Sequence, residues 1–257
     1  MVEAEKYKSG FFDEMDINSL RSAKVVLPLV NNMLHPRSVV DVGCGTGVWL
    51  NTWQKLFELE NYLGIDGPYI KPAMLKIPLE KFISKDLKEP LKLNKKFDLV
   101  MSLEVAEHLP HEGSGEFVNS LTALGDLILF SAALPGQTGT YHINEQYPEF
   151  WAAQFLKKGF IAVDCVRPNI WNHVDVEFYY QQNTIMFVRE TRLQDFPQLK
   201  ELALNTNPNY LTRIHPFLFE LKLRQINLTK TFWGYINWRW YQFKRRYIYK
   251  DPSLNGA

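Results

Sequence analysis

The sequence predicts an α/β fold: a Rossmann-like, mostly parallel seven-stranded sheet with helices on both faces, followed by a C-terminal helical extension. Three observations predict it. Short apolar runs alternate with stretches of helical apolar spacing from Leu20 to Val188. The first of those runs ends in the glycine-rich segment Asp41 to Gly47, and after Arg189 the alternation stops and the composition changes.

Taken in order, Leu20, Ala23, Val26, Leu27, Val30 and Leu34 recur at helical spacing behind Asn18 as N-cap. A helix follows, with a kink expected at Pro28 and a stop at His35-Pro36. Ser38 to Val42 is expected as a short buried strand and Val48 to Leu59 as a helix, so the glycine turn joins a βα unit. Tyr62 to Ile65 forms a second strand ending at Asp66, Lys81 to Ser84 a third ending before Asp86, and Phe97 to Ser102 a fourth ending before Glu104. Leu127 to Ser131 is the fifth, Pro148 to Lys158 a helix closed by Gly159, and Ile161 to Val166 and Thr184 to Val188 complete the series. The chain divides into a domain over residues 1–190 and an extension over 191–257.

A formal charge of +1 with 22% charged residues excludes a generally basic nucleic-acid coat and an acidic disordered tail. The two cysteines, Cys44 and Cys165, are expected reduced, because a disulfide at Cys44 would obstruct the glycine turn. Met1 to Ser9 lacks an apolar core of the secretory kind, and no stretch approaches the ~18 apolar residues of a spanning helix. A cytoplasmic protein is expected, with peripheral membrane contact open at the C-terminal end.

Gly43, Gly45 and Gly47 follow a strand and open a helix, where a missing Cβ lets backbone approach a ligand. The spacing is Gly-x-Gly-x-Gly, with Val48 and Trp49 where a dinucleotide fold needs small residues, which disfavours NAD and FAD. Asp41 is placed to hold a cationic ammonium and would repel a pyrophosphate. Asp66, at the end of the second strand, is placed to accept from ribose hydroxyls. Asp86 has two readings, a contact to an adenine amino group or the cap of a turn.

VVDVGCGTGVWL, GIDG, SKDL and FDLVMSLEVAEHL, in this order and spacing, resemble the successive motifs of class I S-adenosylmethionine methyltransferases over about residues 18–190. The resemblance implies S-adenosyl-L-methionine as cofactor. It places the turn from Gly43 through Cys44 and Gly45 to Gly47 under the methionine portion and Asp66, with Gly67, at the ribose. Asp86, with Leu87, falls at the adenine, and the backbone at Ser102 and Leu103 borders the sulfonium.

Glu104, Glu107 and His108 would share one face if the segment after the fourth strand turned helically, and His142 in the polar loop Pro135 to Gln146 could join them. Carboxylates with imidazoles suit Mg2+ or Mn2+, and Zn2+ or Fe2+ are compatible. This pattern is similar to the metal site of small-RNA 3′-terminal 2′-O-methyltransferases. Its first part is similar to the Glu-Val-x-Glu-His segment of ubiquinone-pathway O-methyltransferases. The accessory regions of the RNA enzymes are not evident here, and the low net charge argues against a long RNA footprint. Two site readings stand: a cation held by Glu104, Glu107, His108 and His142, or a metal-free pocket with Glu104 in its wall and His108 or His142 as general base.

His142 to Gln146 combines polar groups with the rings of Tyr147, Phe150 and Trp151, a combination that suits sugars. GQTGTYHINEQYPEFWAAQF, with RPNIW at Arg167 to Trp171, resembles bacterial methyltransferases found with polysaccharide-building enzymes. Trp151 is read equally as a core residue of an amphipathic helix. The expected function is O-methylation of a saccharide hydroxyl or another small hydroxylated acceptor. A quinone precursor, an RNA 3′ terminus, and a non-catalytic cofactor-binding scaffold are the competing readings.

From Lys222 to Lys250 no acidic residue occurs, while Lys and Arg alternate with Trp, Tyr and Phe. Three readings compete for this tail. They are a helix packed on the domain, an interfacial membrane anchor, and a platform for single-stranded RNA.

Overall fold

The computed structural model describes residues 9–243. Its centre is one seven-stranded sheet in the order β3-β2-β1-β4-β5-β7-β6, built from β1 (Ser38–Val42), β2 (Asn61–Asp66), β3 (Phe82–Ser84), β4 (Leu99–Leu103), β5 (Leu127–Ser131), β6 (Phe160–Val163) and β7 (Ile185–Arg189). The first five run parallel, and β7 is antiparallel to both β5 and β6. Every residue of β1, β4 and β5 is buried, as a parallel strand covered on both faces requires.

Alternation along each strand feeds two apolar layers. Val39, Leu99 and Leu129 pack with α1 (Ser9–Leu34) and α2 (Val48–Phe57) through Leu27, Leu50 and Trp53. Val40, Val100 and Ile128 face the other way, toward α3 (Ser114–Leu124) and α4 (Pro148–Leu156) through Leu121 and Phe155. Trp151 is buried on α4 with its ring 5.3 Å from that of Phe130, so it belongs to the core and is not available to stack on a sugar. Strand order reverses beside β1, where β2 lies on one side and β4 on the other. In an open parallel sheet this opens a crevice at the carboxyl ends of the strands.

Several boundaries differ from the sequence expectation. α1 begins at Ser9, so Asn18 is inside the helix, where its carbonyl accepts from Ser22 Oγ at 2.9 Å, and is not an N-cap. The helix runs through Pro28 to Leu34, as expected. Phe97 is a single bridge to Gly125 ahead of β4, and β6 ends at Val163, after which Asp164 and Cys165 leave the sheet. After β4 the chain does not turn helically at Glu104, whose φ of 55° is left-handed. Two tight turns follow instead, Ala106–His108 and His111–Gly113. The shared helical face expected for Glu104, Glu107 and His108 therefore does not form.

Beyond β6 come α5 (Arg167–Ile170) and α6 (Phe178–Asn183), then β7, α7 (Pro197–Leu204), α8 (Pro216–Thr229) and α9 (Phe232–Phe243). The extension packs on the sheet domain through Leu199 and Leu211, which join its two apolar layers, and Leu218 is buried as well. The fully buried Arg167 grips it: its guanidinium donates to both oxygens of Asp164 at 2.8 Å, to the Leu211 carbonyl at 2.7 Å and to the Gln182 carbonyl at 3.0 Å. Glu149 accepts from the backbone N–H groups of Leu211 and Thr212, both at 2.7 Å. Of the basic and aromatic tail, Lys244 to Lys250 lies outside the described residues. Among the described residues no helix is long and apolar enough to cross a membrane.

Candidate active site

A cavity of about 500 Å3 opens at the carboxyl ends of β1, β2 and β4, within the ~300–1,000 Å3 range of ligand pockets. Asp41, Gly43, Cys44, Gly45, Asp66, Gly67, Asp86, Leu87 and Leu103 all line it. Two residues expected at the cofactor do not. Gly47 opens α2 and turns toward Ile77, and Ser102 is wholly buried inside the sheet.

The turn after β1 has positive φ at Gly43 (85°), Gly45 (55°) and Gly47 (86°), a conformation that only glycine adopts without strain. A Cβ on Gly43 would stand 2.3 Å from Val105 Cγ2, so glycine there also lets the segment after β4 close over the turn. Asp66 fixes the turn from the next strand: its carboxylate accepts from Gly45 N–H and Gly67 N–H, each at 2.6 Å, and from the Tyr69 hydroxyl. Burial raises the Asp66 carboxyl, and these three donors work against the rise. Asp41 is 3% exposed and makes no side-chain hydrogen bond or ion pair among the described residues. Burial, then the neighbouring Asp66 charge, push its carboxyl up to about 8. Asp86 caps a turn, one oxygen accepting from Lys88 N–H at 3.0 Å, and it also lines the cavity.

Helix α1 contributes a clasp that the sequence did not reveal. Asp16 accepts from Thr46 Oγ1 at 2.7 Å and pairs with Lys76 Nζ at 3.5 Å, tying the helix to the glycine turn. Across the cavity Tyr180 of α6 meets Trp49 edge to face, with ring centres 5.1 Å apart. Cys44 and Cys165 are free and buried, and burial pushes both thiols up, Cys165 to about 12, which leaves neither nucleophilic near neutrality.

At the other end of the cavity Glu107, His108 and His142 come together, each with a ligating atom within 4.8 Å of the others. Glu107 is completely buried, and neither carboxylate oxygen meets a well-aligned donor. Burial first, then the Glu104 charge, raise its carboxyl well above the ordinary range. His108 Nδ1 lies 3.2 Å from the Tyr141 carbonyl, and His142 Nδ1 lies 2.9 Å from Glu145 Oε1. A carbonyl and a carboxylate can only accept, so Nδ1 carries a proton in both rings, and in the neutral form of each ring Nε2 holds the lone pair. Gly139 admits His142, for a Cβ there would stand 2.2 Å from Nε2 of that ring.

Glu104, expected as a ligand, is not in this group. Its carboxylate faces two amides, accepting from Gln137 Nε2 at 2.9 Å and Asn183 Nδ2 at 3.0 Å. Burial raises its carboxyl, and the amides oppose the rise. The amides are themselves linked to Gln182, whose Nε2 donates to Gln137 Oε1 at 3.1 Å and whose Oε1 accepts from His215 N–H at 2.8 Å. Gln137, Gln182 and Asn183 were not singled out, and neither was Glu145 alone. The polar character of the loop from Pro135 to Gln146 hinted at Gln137 and Glu145, and nothing in the sequence hinted at Gln182 and Asn183. That loop is hung on the site by Ile143 and Asn144, whose N–H groups donate to the Glu107 carbonyl at 2.9 and 3.0 Å.

Residues 19–134 match the model of a methyltransferase domain family. Among solved structures, the plantazolicin methyltransferase BpumL, in complex with a pentazolic desmethylPZN analog and SAH, aligns with a TM-score of 0.50 at 15% identity, over 70% of this chain and 89% of that one. The methyltransferase domain of bacterial CtHen1-C aligns with a TM-score of 0.50 at 19% identity, over 65% of this chain and 97% of that one. Both likenesses are likenesses of fold. No curated protein sequence matches the chain. Fold, glycine turn and matched segment agree: residues 19–134 carry the match to a methyltransferase domain, set in a methyltransferase-type Rossmann-like fold.

Proposed function

We propose that the protein is an O-methyltransferase acting on a saccharide or another small hydroxylated acceptor, assisted by a divalent cation such as Mg2+ or Mn2+. Glu107 carries the reading: a buried carboxylate that meets no well-aligned donor among the described residues, beside two imidazoles. Such a group is costly in the fold unless it is protonated or paired with positive charge. Glu107, His108 and His142 would hold the cation, and imidazole donors favour Mn2+ at least as much as Mg2+. When bound, it supplies Lewis acidity that lowers the pKa of an acceptor hydroxyl.

The chain's own residues divide the remaining work. Asp41, uncompensated in the cavity wall, suits the ammonium of the donor's methionine portion, and the turn from Gly43 to Gly45 brings backbone close to the same end. The donor supplies an electrophilic methyl group. Leu103 and Val105 wall the space between donor and cation site with apolar surface, which favours transfer to the acceptor over transfer to water. Glu145 holds His142 by its Nδ1–H, so an Nε2 not engaged with a cation is set to take the acceptor's proton. Positioning of the hydroxyl supplies much of the rest.

The saccharide reading is supported by Gln137, Thr138, Thr140 and Tyr141, whose amide, hydroxyls and ring line the cavity on the loop side. The test uses methyl-labelled S-adenosylmethionine with nucleotide sugars, glycolipids, quinols and RNAs, with and without chelator, on wild type and Glu107→Gln. Label is expected in a saccharide, lost on chelation, restored by Mn2+ or Mg2+, and weak in the variant. Full activity in chelator would overturn the cation. Label confined to quinols or RNA would overturn the saccharide.

A further inference from the structure

Helices α8 and α9 carry an exposed surface for which methyl transfer has no use. On α9, Trp233 is 71% and Trp240 55% exposed, with Tyr235 and Trp238 also exposed. The aliphatic side chains of Leu223, Ile226 and Ile236 reach solvent among them. Lys230 and Arg239 are exposed, and Arg224 is too, in a loose 3.8 Å pair with Glu220. The sequence then runs to Lys250 without an acidic residue. Apolar surface concentrated in this way marks an interaction site.

Its position relative to the cavity is fixed at two points. The Phe217 ring, at the start of α8, lies 5.0 Å from that of Phe178, and Lys222 Nζ lies 3.4 Å from Thr138 Oγ1. Phe178 and Thr138 both line the cavity. The helix pair therefore leaves the domain at the cavity's mouth, from a segment that Gln182 and Arg167 hold rigidly.

We propose that α8 and α9 dock the enzyme on the interface of an anionic lipid bilayer, so that the cavity opens toward the membrane surface. Trp and Tyr favour headgroup depth, where an apolar ring and a polar N–H or O–H are both satisfied, and Lys and Arg are drawn to anionic lipid. α9, at 12 residues, is too short to span and suits lying in the interface. Two other occupants fit less well. A single-stranded nucleic acid would use the rings and cations but leave Leu223, Ile226 and Ile236 in water. A second copy across a two-fold axis would set these cations against their own equivalents. The inference does not depend on the acceptor's chemistry.

The test is flotation of the full chain with phosphatidylcholine vesicles, with and without phosphatidylserine. Binding is expected to the anionic vesicles, to weaken with salt, and to shift tryptophan emission to the blue. Trp233→Ala with Trp238→Ala and Trp240→Ala should lower partitioning by roughly tenfold or more, with S-adenosylmethionine affinity unchanged. If that variant does not fold, Arg224→Glu with Arg239→Glu carries the test, and should abolish the preference for anionic lipid. The proposal is overturned if wild type stays in solution with anionic vesicles, or if the folded variants bind as well as wild type. It is also overturned if the substitutions instead dissolve a dimer or abolish binding to a labelled single-stranded RNA while vesicles are ignored.

Discussion

Glu145 Oε1 sits 2.9 Å from His142 Nδ1, and the same carboxylate accepts from the N–H groups of Gly136 at 2.8 Å and Thr138 at 2.7 Å. One side chain thus orients the imidazole and closes the loop that carries it. Burial opposes ionisation of Glu145, but the donors outweigh it and hold the carboxyl below its usual range. Behind His142 as the proposed ligand or base, Glu145 is a positioning residue expected to be worth about 10- to 100-fold. Glu145→Gln should lower kcat/KM for the acceptor, and the affinity for Mn2+ measured by calorimetry, by that order. S-adenosylmethionine binding should not change, and loss of it as well would reduce Glu145 to a structural role.

With Asp41 at the donor's ammonium, as proposed, cofactor binding is expected to depend on pH. Its folded value of about 8 exceeds the unfolded value near 4, so between those limits the folded chain keeps a proton that the unfolded chain has released. The stability of the ligand-free protein therefore falls as pH rises through this window. Binding of an ammonium group favours the ionised carboxylate and releases the proton. Affinity for S-adenosylmethionine should rise from pH 6 to pH 8, at most about tenfold per unit, and Asp41→Asn should bind more weakly with a flat profile. Titration calorimetry in buffers of different ionisation enthalpy reads the proton directly, and wild type with no pH dependence would refute the assignment.

Arg167 tests how firmly the extension belongs to the domain. Arg167→Met removes the guanidinium from Asp164 and from the Gln182 and Leu211 carbonyls, at a cost of about 3–5 kcal/mol for breaking a buried pair. Arg213, also 2.8 Å from Asp164 but 43% exposed, should cost under about 1 kcal/mol when replaced by Met. Urea unfolding of the two variants should show this contrast. Equal effects would mean that the segment around Leu211 is held by apolar packing alone.

The half of the cavity proposed for the donor was legible as a cluster because it is local. Asp41 and the glycines sit in one turn, and Asp66 and Asp86 follow the next two strands, so strand ends and turn residues suffice to place them. The other half is built from long-range partners. Nothing near Glu104 in sequence announces that Gln137 and Asn183 hold its carboxylate, or that its left-handed backbone breaks the helical spacing that had grouped it with Glu107 and His108. Asn18 looked like an N-cap because the apolar period begins after it, yet α1 is held farther upstream by Asp16 against Thr46. The aromatic count beyond Arg189 drew attention to the tail, while the residues that seat the extension are the unremarkable Leu199 and Leu211.

The loop shut by Glu145 separates two kinds of change. Its ends, pinned at Gly136 and at the Glu107 carbonyl, can stay where they are while the exposed tip at Thr140 is exchanged or extended, because lengthening a closed loop costs little. Gln137, Thr138 and Gly139 are kept for their contacts to Glu104, Glu145 and His142. Under the proposed function, the tip is thus the place to build a new acceptor specificity without touching the glycine turn.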